Sequence, residues 1–169
     1  MKIKQPAILP YLLRHDPRIH IPALVIVGPV EEECGQGSFF DQFPWQVCRM
    51  RECLEFATVT PWIATRVIVC ERDLPDGDWK DILEAASRMD DPPPLIVTSR
   101  LADDRLWAEV LNLGGYDVLA KPLDRSEVHR VVTLAWERAA EQHSRARQTH
   151  RKGAQEEVRL GAVRTAAGE

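Results

Sequence analysis

Apolar residues along this chain follow two alternating rhythms. Short unbroken runs, Ala23-Leu-Val-Ile-Val27, Val67-Ile-Val69, Leu95-Ile-Val-Thr98 and Asp117-Val-Leu-Ala120, are rich in β-branched residues and read as strands buried on both faces. Between them the spacing changes to that of a helix. Trp79, Ile82, Leu83 and Ala86 fall at i, i+3, i+4 and i+7, and Leu106, Val110 and Leu113 share one side. Val128, Val131, Val132 and Ala135 form a third such stripe, with Asp124 and Glu127 at capping-box spacing before it. Asp90-Asp-Pro-Pro-Pro94 and Gly114-Gly115 terminate the first two helices. Trp45-Gln-Val-Cys-Arg-Met50 is more polar and reads as an edge strand. Glu52 to about Ile63 follows as a helix that Pro61 shortens or kinks. Gly35, Gly37 and Pro44 oppose a long helix after the first strand, leaving a short irregular one near Ser38–Gln42.

This series of strand–helix units predicts an α/β fold, a flavodoxin-like doubly wound sheet of five parallel strands in the order 2-1-3-4-5 with helices on both faces. One domain, residues 23–137, holds all of these elements. Residues 1–22, with Pro6, Pro10, Pro17 and Pro22, read as an extended N-terminal arm. Residues 138–169 lack an apolar stripe and read as a polar helical extension or a disordered tail, too short for an output domain with its own core.

At 169 residues, 44% hydrophobic and 28% charged, the composition is that of a globular protein. A formal net charge of -4 makes no general case for nucleic acid. Cys34, Cys48, Cys53 and Cys70 show no metal-ligand spacing, which favours reduced thiols and a cytoplasmic location. No apolar run reaches membrane-spanning length, and the N-terminus lacks the apolar region of a signal peptide, so no membrane partner is expected.

Candidate chemistry gathers where strands end. In Arg66-Val-Ile-Val-Cys-Glu-Arg-Asp-Leu-Pro-Asp-Gly-Asp78 the buried run releases acidic side chains and then turns. The next strand ends in Thr98-Ser99, and the last leads into Lys121-Pro122. In an open parallel sheet these ends share one edge, where ligands bind. Asp73, Asp76, Asp78 and Glu84 do not make a calcium loop, because Pro75 and Gly77 occupy two ligand positions. His143 and His150, seven apart, read as solvated. Neither a nucleophile–base pair nor a glycine-rich phosphate loop is present, and an enzyme is not expected.

From about Ala23 to Trp136 the chain resembles the receiver domain of two-component response regulators. The resemblance rests on the strand followed by Glu71-Arg-Asp-Leu-Pro-Asp-Gly, the strand ending in Thr98-Ser99, and Gly114-Gly-Tyr-Asp-Val-Leu-Ala-Lys-Pro122. It implies transfer of a phosphoryl group from a histidine kinase to an aspartate. A divalent cation held by neighbouring acids, a hydroxyl and a lysine would assist that transfer. Here the acceptor position holds Glu71, the hydroxyl position Thr98 and the lysine position Lys121, while the acid pair is replaced by Gly28 and Pro29. The aromatic that normally switches in the last strand is replaced by Val118.

The resemblance therefore implies an atypical receiver with a degenerate phosphotransfer site and Mg2+ binding lost or weak, hence no metal and no other cofactor. Glu71, one methylene longer than aspartate, is expected to pair permanently with Lys121 in a remnant pocket with Thr98 and Asp73. Such a module would act through a protein partner, a histidine kinase or an effector. It could also form a homodimer through the face made by the helix near 102–113, the last strand and the final helix, with Trp107, Val118 and Trp136 there. Two alternatives stay open: a phosphoacceptor using Asp73 or Glu31–Glu33, and a nucleic-acid-associated regulator using Arg145, Arg147, Arg151 and Lys152.

Overall fold

The computed structural model describes residues 24–28, 39–59, 65–142 and 144. The arm at 1–22, Pro29, Glu31–Glu33, His143, His150 and the basic positions Arg145, Arg147, Arg151 and Lys152 lie outside those residues. Five parallel strands, β1 (Leu24–Val27), β2 (Val47–Met50), β3 (Val67–Glu71), β4 (Leu95–Ser99) and β5 (Asp117–Ala120), form one sheet. Their order is β2-β1-β3-β4-β5, the doubly wound arrangement expected from the alternating pattern. Helices α1 (Cys53–Val59), α2 (Trp79–Ser87) and α3 (Asp104–Leu113) connect them, and α4, over 125–142, crosses the expected domain boundary at 137 without a break.

Alternation along the central strand divides the core in two. Ile68 and Cys70 face one side with Val97 and Val118, packed against Phe56, Trp79, Ile82, Leu106 and Val110 of the first three helices. Val67 and Val69 face the other side with Ile96 and Leu119, packed against Val128, Val131, Val132 and Ala135 of α4. A strand buried on both faces must be apolar at every position, which is why β3 stays hydrophobic until the sheet ends.

On the α4 side of the sheet lie a 3-10 turn, Phe39–Gln42, and the residues after it. Phe39, Phe40 and Phe43 cover the sheet; Phe43 stacks on Trp45 at 4.3 Å, and Trp45 stacks on His129 at 5.8 Å. The Arg125 guanidinium lies 5.7 Å from the Phe43 ring centroid, and its group donates to the Gln42 carbonyl at 3.4 Å. Aromatic area thus covers this part of the sheet.

One core assignment is corrected. Leu113, expected on the buried side of α3, is 53% exposed, while Leu106 and Val110 are buried. The chain leaves α3 through Gly114, in the left-handed region at φ 101°, and the Gly115 N–H bonds back to the Val110 carbonyl at 2.8 Å. The return path closes over Val110 and leaves Leu113 outside.

Candidate functional site

Glu71 is the last residue of β3, the point where the buried run ends and a charged side chain can first reach solvent. In the parallel register it stands opposite Thr98 of β4, and Ser99 stands opposite Ala120 of β5. The Lys121 N–H extends that ladder by donating to the Ser99 carbonyl at 2.9 Å, so Lys121 emerges on the same edge. Lys121 Nζ forms an ion pair with Glu71 Oε2. Thr98 Oγ1 lies 3.3 Å from the same oxygen and 3.4 Å from the Cys70 carbonyl. The pair is largely withdrawn from water, the Lys121 side chain being 7% and the Glu71 side chain 19% exposed. The Lys121-Pro122 peptide bond is cis. Three strand ends therefore bring one carboxylate, one hydroxyl and one ammonium together.

After Glu71 the chain folds into a small hairpin, Asp73–Leu74 against Gly77–Asp78, and enters α2. Asp78 caps that helix by accepting from the Lys80 N–H at 2.7 Å, while Asp81 Oδ2 accepts from the Asp78 N–H at 2.9 Å. A Cβ at Gly77 would overlap Asp81 Oδ2 and sit 2.9 Å from Cys53 Sγ, so a side chain there would displace both groups. Asp76, at the tip, accepts from the N–H groups of Cys53 at 2.7 Å and Leu54 at 2.9 Å. Those amides, Leu54 first, hold its carboxyl below the usual range. It caps α1 from another part of the chain, satisfying donors that α1 cannot satisfy itself.

Asp73 is placed differently from the expectation that set it in the remnant pocket. Its carboxylate pairs with Arg72 Nε at 2.8 Å and is 73% exposed, and it lines a cleft of about 320 Å³ with Trp79, Lys80, Arg105 and Glu109. The chain enters the hairpin directly after Arg72, pairing Asp73 with Asp78, and the Asp73 carboxylate meets the Arg72 guanidinium. The capping carboxylate, which sequence reasoning missed, is Asp76; its one signal was an acid between the turn-forming Pro75 and Gly77.

Nucleophilic sulfur is suppressed around the hairpin. Burial, followed by the Asp76 carboxylate, pushes the Cys53 thiol up to about 12. Burial likewise raises Cys70 well above the ordinary thiol value. Val118 is buried in the core against the first three helices, whereas Tyr116 packs on the α4 side, where the Arg138 guanidinium lies 5.6 Å from its ring centroid. Trp107 of α3 and Trp136 of α4 are 41% and 37% exposed on the two helices that flank β5.

Among the described residues no group of three or more His, Cys, Asp or Glu side chains could hold a metal ion; Pro29 and Glu31–Glu33 lie outside them. At this edge the Glu71 carboxylate is engaged by Lys121 and Thr98, and Gly28, which follows β1, brings no donor side chain. Among the described residues no helix is long and apolar enough to cross a membrane.

Solved structures share this architecture. A two-component response regulator from Clostridium difficile superposes with a TM-score of 0.57 at 22% identity, covering 68% of this chain and 95% of that one. The receiver domain of the Francisella response regulator 1452 gives 0.58 at 22%, covering 69% and 98%. The signal receiver domain of an HD domain-containing protein from Pseudomonas fluorescens Pf-5 gives 0.60 at 21%, covering 74% and 99%. The chain has the fold of a response-regulator receiver domain. No family model and no curated protein matches the sequence. The receiver fold accounts for the convergence of Glu71, Thr98 and Lys121, since the carboxyl ends of β3, β4 and β5 are adjacent in it.

Proposed function

We propose that this chain is an atypical receiver-like module of two-component signalling, acting through protein–protein contact with its phosphotransfer site converted into a fixed ion pair. The observation that carries the reading is the Glu71–Lys121 pair with Thr98 beside it. A receiver's lysine and hydroxyl would take phosphoryl oxygens; here both meet the carboxylate of residue 71. Attack of a carboxylate on an anionic phosphoryl donor needs a cation to offset repulsion, and a carboxylate held by an ammonium is a poor nucleophile. On this reading Mg2+ binding is lost or weak, and the module is not an enzyme and works in the cytoplasm with a histidine kinase or an effector. Asp73 does not serve as a substitute acceptor, since its carboxylate is turned to Arg72 on the open side of the hairpin.

The same reading assigns partner contact to α3, β5 and α4, where Trp107 and Trp136 present rigid aromatic area to solvent with Leu111 and Leu134 also exposed. Sedimentation equilibrium tests the homodimer. Wild-type protein is expected to associate equally with and without acetyl phosphate and Mg2+, and Trp107→Ala/Trp136→Ala to be monomeric. A wild-type monomer at every concentration would remove self-association from the reading.

A further inference from the structure

We propose that Gly28 closes the edge beside Glu71 to divalent cations through the backbone, so that placing carboxylates at 28 and 71 does not open it. The inference rests on the reading of Glu71–Lys121 as a fixed pair and adds a cause for it. An acid missing from residue 28 could be a mere side-chain loss, reversible by substitution. The geometry points elsewhere.

Gly28 has φ 152°, a conformation that L-residues rarely adopt. In that conformation a Cβ would project across to β3 and come within 2.8 Å of Glu71 Cβ, with Glu71 N at 3.7 Å and Cγ at 3.8 Å. The nearest of these atoms is fixed to the backbone and cannot rotate away. It is also retained when Glu71 is shortened to aspartate, so the obstruction does not depend on the extra methylene. The amino side of residue 28 is fixed as well. Its N–H donates to the Met50 carbonyl at 2.9 Å, and the residue before it is in register with Cys70 of β3. Gly28 is thus held between β2 and β3, and the start of the Glu71 side chain fills the space that a residue-28 side chain would enter.

A hard cation at a strand edge needs several oxygen ligands in near-ideal geometry, usually including one or two protein carboxylates. Here a carboxylate at residue 28 has no unobstructed starting point, and the Lys121 ammonium supplies the positive charge that a cation would otherwise bring. Gly28 is a positioning residue in this account: it lets the Glu71 side chain lie against β1 with its carboxylate turned to Lys121 and Thr98.

The test uses the full chain as wild type, Glu71→Asp, Gly28→Asp/Glu71→Asp and Gly28→Ala. Each is titrated with MgCl2 while the amide shifts of Thr98 and Lys121 are followed by NMR, and each is melted. Saturable shifts are expected in none of them, and Gly28→Ala is expected to melt several degrees below wild type. Saturable binding by the wild type would overturn the fixed-pair reading itself. A silent wild type with saturable binding by Gly28→Asp/Glu71→Asp would overturn only the present inference. Should that double variant prove too unstable to titrate, Gly28→Ala decides: a lowered melting temperature supports closure through the backbone, and an unchanged one overturns it.

Discussion

Replacing Lys121 by methionine is expected to lower the free energy of unfolding by roughly 3 kcal/mol, the low end for breaking a mostly buried ion pair. Methionine keeps much of the lysine stem's volume but removes the ammonium. The Glu71 carboxylate, only 19% exposed, would then keep Thr98 as its remaining side-chain donor in a site with little water. The reciprocal change, Glu71→Gln, is expected to cost less, about 1–2 kcal/mol, because a lysine stem can carry its charge towards solvent whereas a strand-end carboxylate has a short reach. With both replaced, no buried charge is left uncompensated, so the double variant should be more stable than the sum of single losses predicts. Denaturant midpoints for the four proteins give the coupling directly. Strictly additive losses would mean that the two groups do not act as a pair.

The largest loss outside the ion pair is expected from Trp79→Ala, roughly 3–5 kcal/mol, the range for truncating a large buried aromatic. Trp79 is among the largest fully buried side chains, and its backbone N–H donates to the Arg72 carbonyl at 3.1 Å. It therefore anchors in the core both the start of α2 and the turn that follows Glu71. Truncation leaves a cavity beside Phe56 and Ile82 and loosens the hairpin whose tip caps α1 through Asp76. Trp79→Phe, which keeps an aromatic ring, should lose less than half as much. Thermal melts distinguish the two; equal losses would show that the N-terminal position of α2, rather than the ring, was being disturbed.

Much of this arrangement is legible in the residues themselves. A strand buried on both faces announces itself by continuous apolar β-branched residues, and its end by the first charge, which is how Val67–Glu71 and the positions of Thr98 and Lys121 can be read. Helix periodicity marks Trp79, Ile82, Leu83 and Ala86 as core; Trp79, Ile82 and Ala86 are buried and Leu83 is half-buried against them. What stayed hidden is non-local. Asp73 and Asp76 have similar local surroundings, but the pairing of Leu74 with Gly77 reverses the chain and delivers only the tip residue to the start of α1. Gly35, Gly37 and Pro44 argue against a long helix, in a stretch that lies mostly outside the described residues. They do not reveal that Phe39, Phe40 and Phe43 would cover the sheet, with Trp45 and His129 stacked alongside. Gly28 can be recognised as a missing acid by resemblance, yet its steric relation to Glu71 exists only once β1 and β3 are adjacent.

The central claim is that a lysine–carboxylate pair stands where phosphoryl transfer would otherwise occur. Incubation of the wild-type chain with acetyl phosphate and MgCl2, followed by intact mass, tests it most directly. The mass is expected to remain that of the unmodified chain. A stoichiometric added phosphoryl group, mapped to Glu71 or Asp73, would contradict the claim.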